Sequence, residues 1–240
     1  MNAGNSARLT AGILGGMGPE ATVDLMRRVI ALTPAADDRD HIRMLVDCDP
    51  TVPSRIAAII EGSGPSPAPA LLRMARALAG HGADFLAMPC NTAHTYYDDI
   101  ARAVDVPLIN MLENAARRLH AACPQATRVG LLASAAVRIT GVYAPHCAAV
   151  GCRTLFPEEP LQEWLMALIR DVKAGGGAGN APALAACAGA LVDAGADCLL
   201  IACTELSVIA DPPGEQPVPV FDAADLLARE IVDRALGRSD

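Results

Sequence analysis

Lysine is nearly missing from this sequence. Of its 240 residues only 19 are Lys or Arg against 27 Asp or Glu, for a net charge of −8, and Lys173 is the sole lysine. The arginines are scattered, so no basic patch stands ready to displace counterions from a nucleic acid, and small molecules are the expected partners. Long apolar runs are also absent: none approaches the ~20 residues that span a bilayer. Residues 1–10 lack an apolar stretch of signal-peptide length. A soluble cytoplasmic protein with no membrane partner is therefore expected. Eight cysteines are present but no Cys-x-x-Cys pair. In a chain this long that argues against a disulfide framework and against a zinc ribbon, and most of the thiols are expected to be reduced and buried. With 52% apolar residues, the chain can build one large or two modest α/β domains.

What the sequence does contain is one stretch written twice. Gly82-Ala83-Asp84-Phe85-Leu86-Ala87-Met88-Pro89-Cys90 and Gly195-Ala196-Asp197-Cys198-Leu199-Leu200-Ile201-Ala202-Cys203 align without a gap. Each is a short apolar run bounded by polar residues, which reads as a buried strand ending in a thiol. In open α/β sheets that carboxyl edge is where ligands bind, with helix N-termini facing them. The repeat extends outward. Val106-Pro107-Leu108-Ile109 is echoed by Val218-Pro219-Val220-Phe221, and Ala11-Gly12-Ile13-Leu14-Gly15-Gly16 by Val129-Gly130-Leu131-Leu132-Ala133-Ser134. The predicted fold is α/β: two pseudo-symmetric domains, each with a roughly four-stranded, mostly parallel sheet flanked by helices, and a site between them. The expected boundaries are residues 1–110 plus the last helix, 222–240, for one domain and 111–221 for the other.

In chain order, residues 9–15 read as a strand, Gly15-Gly16-Met17-Gly18-Pro19-Glu20 as a turn into a helix, and residues 42–46 as a second strand. Gly16 to Ala21 also fits a dinucleotide fingerprint, with Asp47 or Asp49 as ribose ligand, a weak pattern when it stands alone. The loop Asp47 to Arg55 brings Arg55 to the edge that carries the thiols, where it either caps the loop or holds a substrate carboxylate. Helices are expected over residues 70–79, 95–104, 158–173, 183–194 and 223–236. Lys173 is either a cation in a last helical turn or a second carboxylate anchor.

Inverting the α-carbon of an amino acid requires one group to remove a proton from one face and another to supply one to the opposite face. Cys90 and Cys203 at equivalent strand ends meet that requirement, since a thiol with a pKa near ~8.5 is readily poised on either side of neutrality. The polar residues that follow, Asn91 and Thr92 in one copy and Thr204 and Glu205 in the other, can orient the thiols or donate to a substrate carboxylate.

Gly15-Gly16-Met17-Gly18-Pro19, Pro89-Cys90-Asn91-Thr92-Ala93-His94 and Ala202-Cys203-Thr204-Glu205 resemble the motifs of the aspartate/glutamate racemase superfamily, in particular its cofactor-independent aspartate racemase branch. The resemblance covers nearly the whole chain in order. It implies Cys90 and Cys203 as the two bases, no pyridoxal phosphate and no metal. It also implies substrate contacts from Met17, Arg55, Asn91, Thr92, Lys173 and Thr204, a last helix packed on the first domain, and a homodimer. One departure concerns the binding loop, where Asp49 and Ser54 replace the Asn and Asp usual in that branch; a negative charge near Arg55 is expected to weaken selection for an acidic side chain. Two other readings stay open: a dicarboxylate isomerase of the maleate type, in which one cysteine adds to the substrate, and a ligand-binding protein with inert thiols. A pyridoxal phosphate enzyme could use only Lys173 as its Schiff base.

Overall fold

The computed structural model describes residues 8–176, 181–209 and 216–238. The first half runs β1 (Ala11–Gly15), α1 (Pro19–Leu32), β2 (Met44–Cys48), α2 (Ala68–Gly80), β3 (Phe85–Ala87) and α3 (Tyr97–Ala101). The second runs α4 (Met111–Ala122), β4 (Arg128–Ala133), α5 (Ala135–Thr140), α6 (Ala144–Ala149), β5 (Arg153–Leu155), α7 (Leu161–Lys173), α8 (Ala181–Asp193), β6 (Cys198–Ala202), α9 (Thr204–Ile209), β7 (Val220–Asp222) and α10 (Ala223–Ala235). Two parallel sheets result, in the orders β2-β1-β3 and β5-β4-β6-β7. β1, β3 and β6 are buried along their whole length. That suits central strands covered by helices on both faces, and it explains why they read as continuous apolar runs.

The duplicated sequence folds as duplicated structure. Gly82 and Gly195 have φ of +90° and +88°, a left-handed turn that ends the preceding helix at little cost for glycine. The next amides close that turn, Ala83 N–H to the Leu78 carbonyl at 3.1 Å and Ala196 N–H to Leu191 at 3.0 Å. Each aspartate then clamps the neighbouring strand. Asp84 Oδ2 accepts from Thr10 N–H at 2.7 Å, and Asp197 Oδ2 accepts from the Thr127 and Arg128 amides at 2.9 Å each. The repeated Gly-Ala-Asp is thus a structural device that starts a strand in register.

The fourth strand of the first sheet shrinks to a single parallel bridge, Leu86 with Leu108. Leu86 N–H donates to the Pro107 carbonyl at 2.7 Å, as Leu199 N–H does to Pro219 at 2.9 Å. Extension stops there because Asn110 already caps α4, accepting from the Leu112 and Glu113 amides at 3.1 Å each. The helix expected over 95–104 divides into a 3₁₀ turn, Thr92–Tyr96, and the short α3.

α10 follows β7 and packs against both α1 and α4. Its Leu227 and Ile231 are wholly buried in a core shared with Ile13, Leu25 and Val29 of the first half and Met111 and Leu131 of the second. Burial of each such side chain is worth about 1.5–3 kcal/mol. Arg28 of α1 adds ion pairs to Asp24 at 2.7 Å and Asp222 at 3.0 Å. The two halves are therefore joined by a common core on one side, and their strand ends face each other on the other.

Candidate active site

Cys90 lies just past β3 and Cys203 directly after β6, and each is only 6% exposed. Both line one narrow cavity between the halves, with about 20 Å³ of room, enough for about one water molecule. Its wall also contains Met17, Arg55, Asn91, Thr92, Lys173, Thr204 and Glu205. The two thiols and the substrate contacts expected from the sequence are thus at one place, whereas Asp47 and Asp49, the ribose ligands of the dinucleotide reading, do not line it. The cavity's few convergent polar groups suit a small polar molecule, and the halves must part to admit one larger than water.

The segment around Cys90 is held from several directions. His94, 6% exposed, bonds the Cys90 carbonyl through Nδ1 at 2.9 Å, and Met111 N–H donates to its Nε2 at 3.1 Å. A carbonyl can only accept and an amide only donate, so the proton sits on Nδ1 and the ring is neutral. Burial lowers the His94 pKa to about 4, consistent with a structural link between the Cys90 turn and the start of α4. Three further bonds come from the second half. Thr204 Oγ1 donates to the Pro89 carbonyl at 3.2 Å, the hydroxyls of Thr92 and Ser134 meet at 3.3 Å, and Tyr143 O–H donates to Asn91 Oδ1 at 2.5 Å.

The two thiols differ in their surroundings. Cys203 Sγ donates to Glu205 Oε2 at 3.2 Å, and Lys173 Nζ lies 3.5 Å from Glu205 Oε1. Burial first, and then the Glu205 carboxylate, push the Cys203 thiol well above its usual range, and the Lys173 ammonium partly offsets them. Among the described residues the Cys90 thiol has no such acceptor. Lys173 reaches the site because it ends the buried face of α7, one turn beyond Ile169, which also lines the cavity.

Arg55 projects from the loop after β2. Its guanidinium donates to the carbonyls of Pro53 at 3.0 Å, Val52 at 3.3 Å and Met17 at 3.3 Å. These neutral partners fix the group, and among the described residues no carboxylate forms an ion pair with it. The expected neutralisation by Asp49 does not occur. Asp49 is taken up by the Thr51 hydroxyl at 2.5 Å, by Thr51 N–H at 2.9 Å and by Arg73 at 3.3 Å; the Thr51 hydroxyl first, then the Thr51 amide and Arg73, hold its carboxyl below the usual carboxylate range. Asp49 also bears on the dinucleotide reading. A Cβ on Gly16 would lie 2.3 Å from the Asp49 backbone, so this glycine is required by the packing of the loop against it.

Ser134, Ile56, Ile169 and Tyr143 were not singled out from the sequence. Ser134 carried a usable signal, since the repeat aligns it with Gly16. Tyr143 carried none, because only the fold brings it to Asn91. Among the described residues no group of three or more His, Cys, Asp or Glu could hold a metal ion, and no helix is long and apolar enough to cross a membrane.

Comparison with known proteins places this geometry in a family. The chain resembles the broad specificity amino-acid racemase RacX of Bacillus subtilis, with 27% identity over 229 residues, covering 94% of this chain and 97% of that one. Its structure is similar to that of an aspartate racemase from Picrophilus torridus, with a TM-score of 0.80 and 29% identity over 95% of this chain and 94% of the other. The fold is shared further with a glutamate racemase from Francisella tularensis in complex with D-glutamate, with a TM-score of 0.64 and 15% identity over 96% of this chain and 82% of the other. The family model described as Asp/Glu/Hydantoin racemase matches residues 14–231, nearly the full length, and the chain belongs to that family.

Proposed function

We propose that this protein is an amino-acid racemase that works without pyridoxal phosphate, with Cys90 and Cys203 as its two acid/base groups and aspartate as its preferred substrate. The observation that carries the proposal is the placement of two thiols, at equivalent strand ends of two facing halves, in the wall of one small cavity. Proton abstraction and return on opposite faces need that arrangement.

The surroundings of the thiols suggest a resting state. Cys203, bonded to a carboxylate, is kept protonated and serves as the acid. Cys90, as thiolate, takes the α-hydrogen and becomes a thiol, and the electron pair of the broken C–H bond passes into the substrate carboxylate. Cys203 then gives its proton to the opposite face and is left as thiolate. The product is the other enantiomer, and the protonation of the pair is reversed. Lys173 lies beside Glu205 and eases formation of the Cys203 thiolate.

Arg55, whose protein partners are uncharged carbonyls, is the natural partner for a substrate carboxylate. The aspartate racemase of Picrophilus torridus supports aspartate as the first substrate to try, and the broad specificity relative supports a panel. Lys173, the only lysine, is paired with Glu205, which argues against its use as a Schiff base. The same proposal takes residues 1–110 with 222–240 and residues 111–221 as the two domains, and a homodimer in the cytoplasm as the working form.

The test is proton NMR in D₂O with purified protein, no added cofactor, and D- and L-amino acids headed by aspartate and glutamate. Loss of the α-proton signal with appearance of the opposite enantiomer is expected, and both Cys90→Ser and Cys203→Ser should abolish racemisation with the fold intact. Undiminished racemisation by either variant would remove the two-thiol mechanism. If no amino acid exchanges, the racemase reading gives way to the dicarboxylate isomerase, tested next with maleate, and to the ligand-binding protein with inert thiols.

A further inference from the structure

Asn91 follows Cys90, is 3% exposed and lines the cavity. Its two amide ends have different fates. Oδ1 receives the Tyr143 hydroxyl, whereas Nδ2 is buried and has no hydrogen-bond partner. An unpaired buried amide nitrogen is costly, typically about 1–3 kcal/mol, and calls for an explanation. A carboxamide can turn over about its last torsion with almost no change of shape, so packing alone does not decide which end faces the cavity. The phenol decides it. Its single hydrogen needs an acceptor, and Oδ1 is the acceptor within reach.

Tyr143 is 1% exposed and precedes α6 in the second half, whereas Asn91 belongs to the first. Burial also raises its ionisation well above the usual range, so it remains a donor at working pH. We propose that Tyr143 is a positioning residue: it locks the Asn91 carboxamide with Nδ2 toward the substrate, where its N–H groups bond a carboxylate oxygen that gains charge as the α-hydrogen leaves. The proposal rests on the racemase reading. Donors aimed at developing charge act chiefly on the transition state, so the effect should fall on kcat more than on KM.

The experiment compares wild type, Tyr143→Phe, Asn91→Ala and the double variant, with kcat and KM for the racemised amino acid. Tyr143→Phe should lower kcat about tenfold or more with a smaller change in KM, and in the double variant the loss should match that of Asn91→Ala alone. An unchanged kcat for Tyr143→Phe, or losses that multiply in the double variant, would overturn the proposal. A second readout is independent of turnover. The side-chain ¹⁵N–¹H pair of Asn91, assigned by its loss in Asn91→Ala, should move when Tyr143→Phe is introduced, and in wild type it should move on titration with aspartate. A wild-type signal indifferent to aspartate would overturn the proposal even if Tyr143→Phe failed to fold. A wild type that racemises nothing, yet shows an Asn91 signal that depends on both Tyr143 and aspartate, would sink the racemase reading and leave the positioning intact.

Discussion

Replacing Glu205 by Gln should lower the pH at which Cys203 ionises. Glu205 Oε2 accepts from the thiol at 3.2 Å, so ionisation of Cys203 sets two negative charges side by side. Like charges about 4 Å apart at an effective dielectric of about 20 repel by about 4 kcal/mol. The Lys173 ammonium, 3.5 Å from the other carboxylate oxygen, is present in wild type and variant alike, so the substitution removes the repulsion and keeps the attraction. The ionisation of Cys203 therefore moves to lower pH in the variant. The side chain keeps its volume and a carbonyl oxygen near the thiol, so the change isolates the charge. The direct assay is the rate of alkylation of Cys203 by iodoacetamide as a function of pH, read by peptide mass spectrometry. The kinetic assay is the pH profile of kcat/KM, whose alkaline limb reports the group that must stay protonated in the free enzyme. Both midpoints should fall together. If the alkylation midpoint stays in place or rises, burial alone sets the Cys203 thiol and Glu205 has no part in holding its proton.

Two further expectations concern stability. His94 has its pKa lowered to about 4 by burial, so the unfolded chain takes up a proton near pH ~6.5 while the folded protein resists until pH ~4. Folding free energy is therefore untouched above about pH 6.5 and falls by up to about 3 kcal/mol as the pH drops to about 4. Urea titrations across this range should show the loss, and His94→Ala should be less stable near neutrality while lacking this part of the pH dependence; an identical dependence in the variant would exclude His94 as its source. At the other extreme, burial raises Cys147 and Cys198 to about 12 and Cys187 to about 11. Their folded values lie above the unfolded one, so the stability they contribute is complete below about pH 8.5 and declines as the pH rises, by about 1.4 kcal/mol per pH unit for each thiol. Cys198→Ala should flatten this alkaline slope by about one third of the three-thiol total, and a slope unchanged in that variant would contradict the assignment.

Much of this protein could be read from its sequence, because short-range rules governed those parts. Continuous apolar runs such as Ala11–Gly15 and Cys198–Ala202 marked central strands, and the duplicated Gly-Ala-Asp marked where strands begin, since a left-handed glycine and a clamping aspartate are local requirements. The internal repeat then carried Cys90 and Cys203 to equivalent strand ends, and the motifs that follow them pointed to the family. Other features depended on contacts between residues far apart in the chain. The first sheet stops at a single bridge because Asn110 caps a helix two residues beyond Leu108, a competition between neighbouring elements that apolar patterning does not encode. Asp49 bonds Thr51 and Arg73 instead of facing Arg55, because the path of the loop decides which cation a carboxylate meets. Sequence alone treated the two thiols as interchangeable, and it is the meeting of Glu205 with Lys173 at Cys203, and of Tyr143 with Asn91 beside Cys90, that makes them different. Ionisation and amide orientation are set by what surrounds a group in three dimensions, and the two halves of the chain supply those surroundings to each other only once folded.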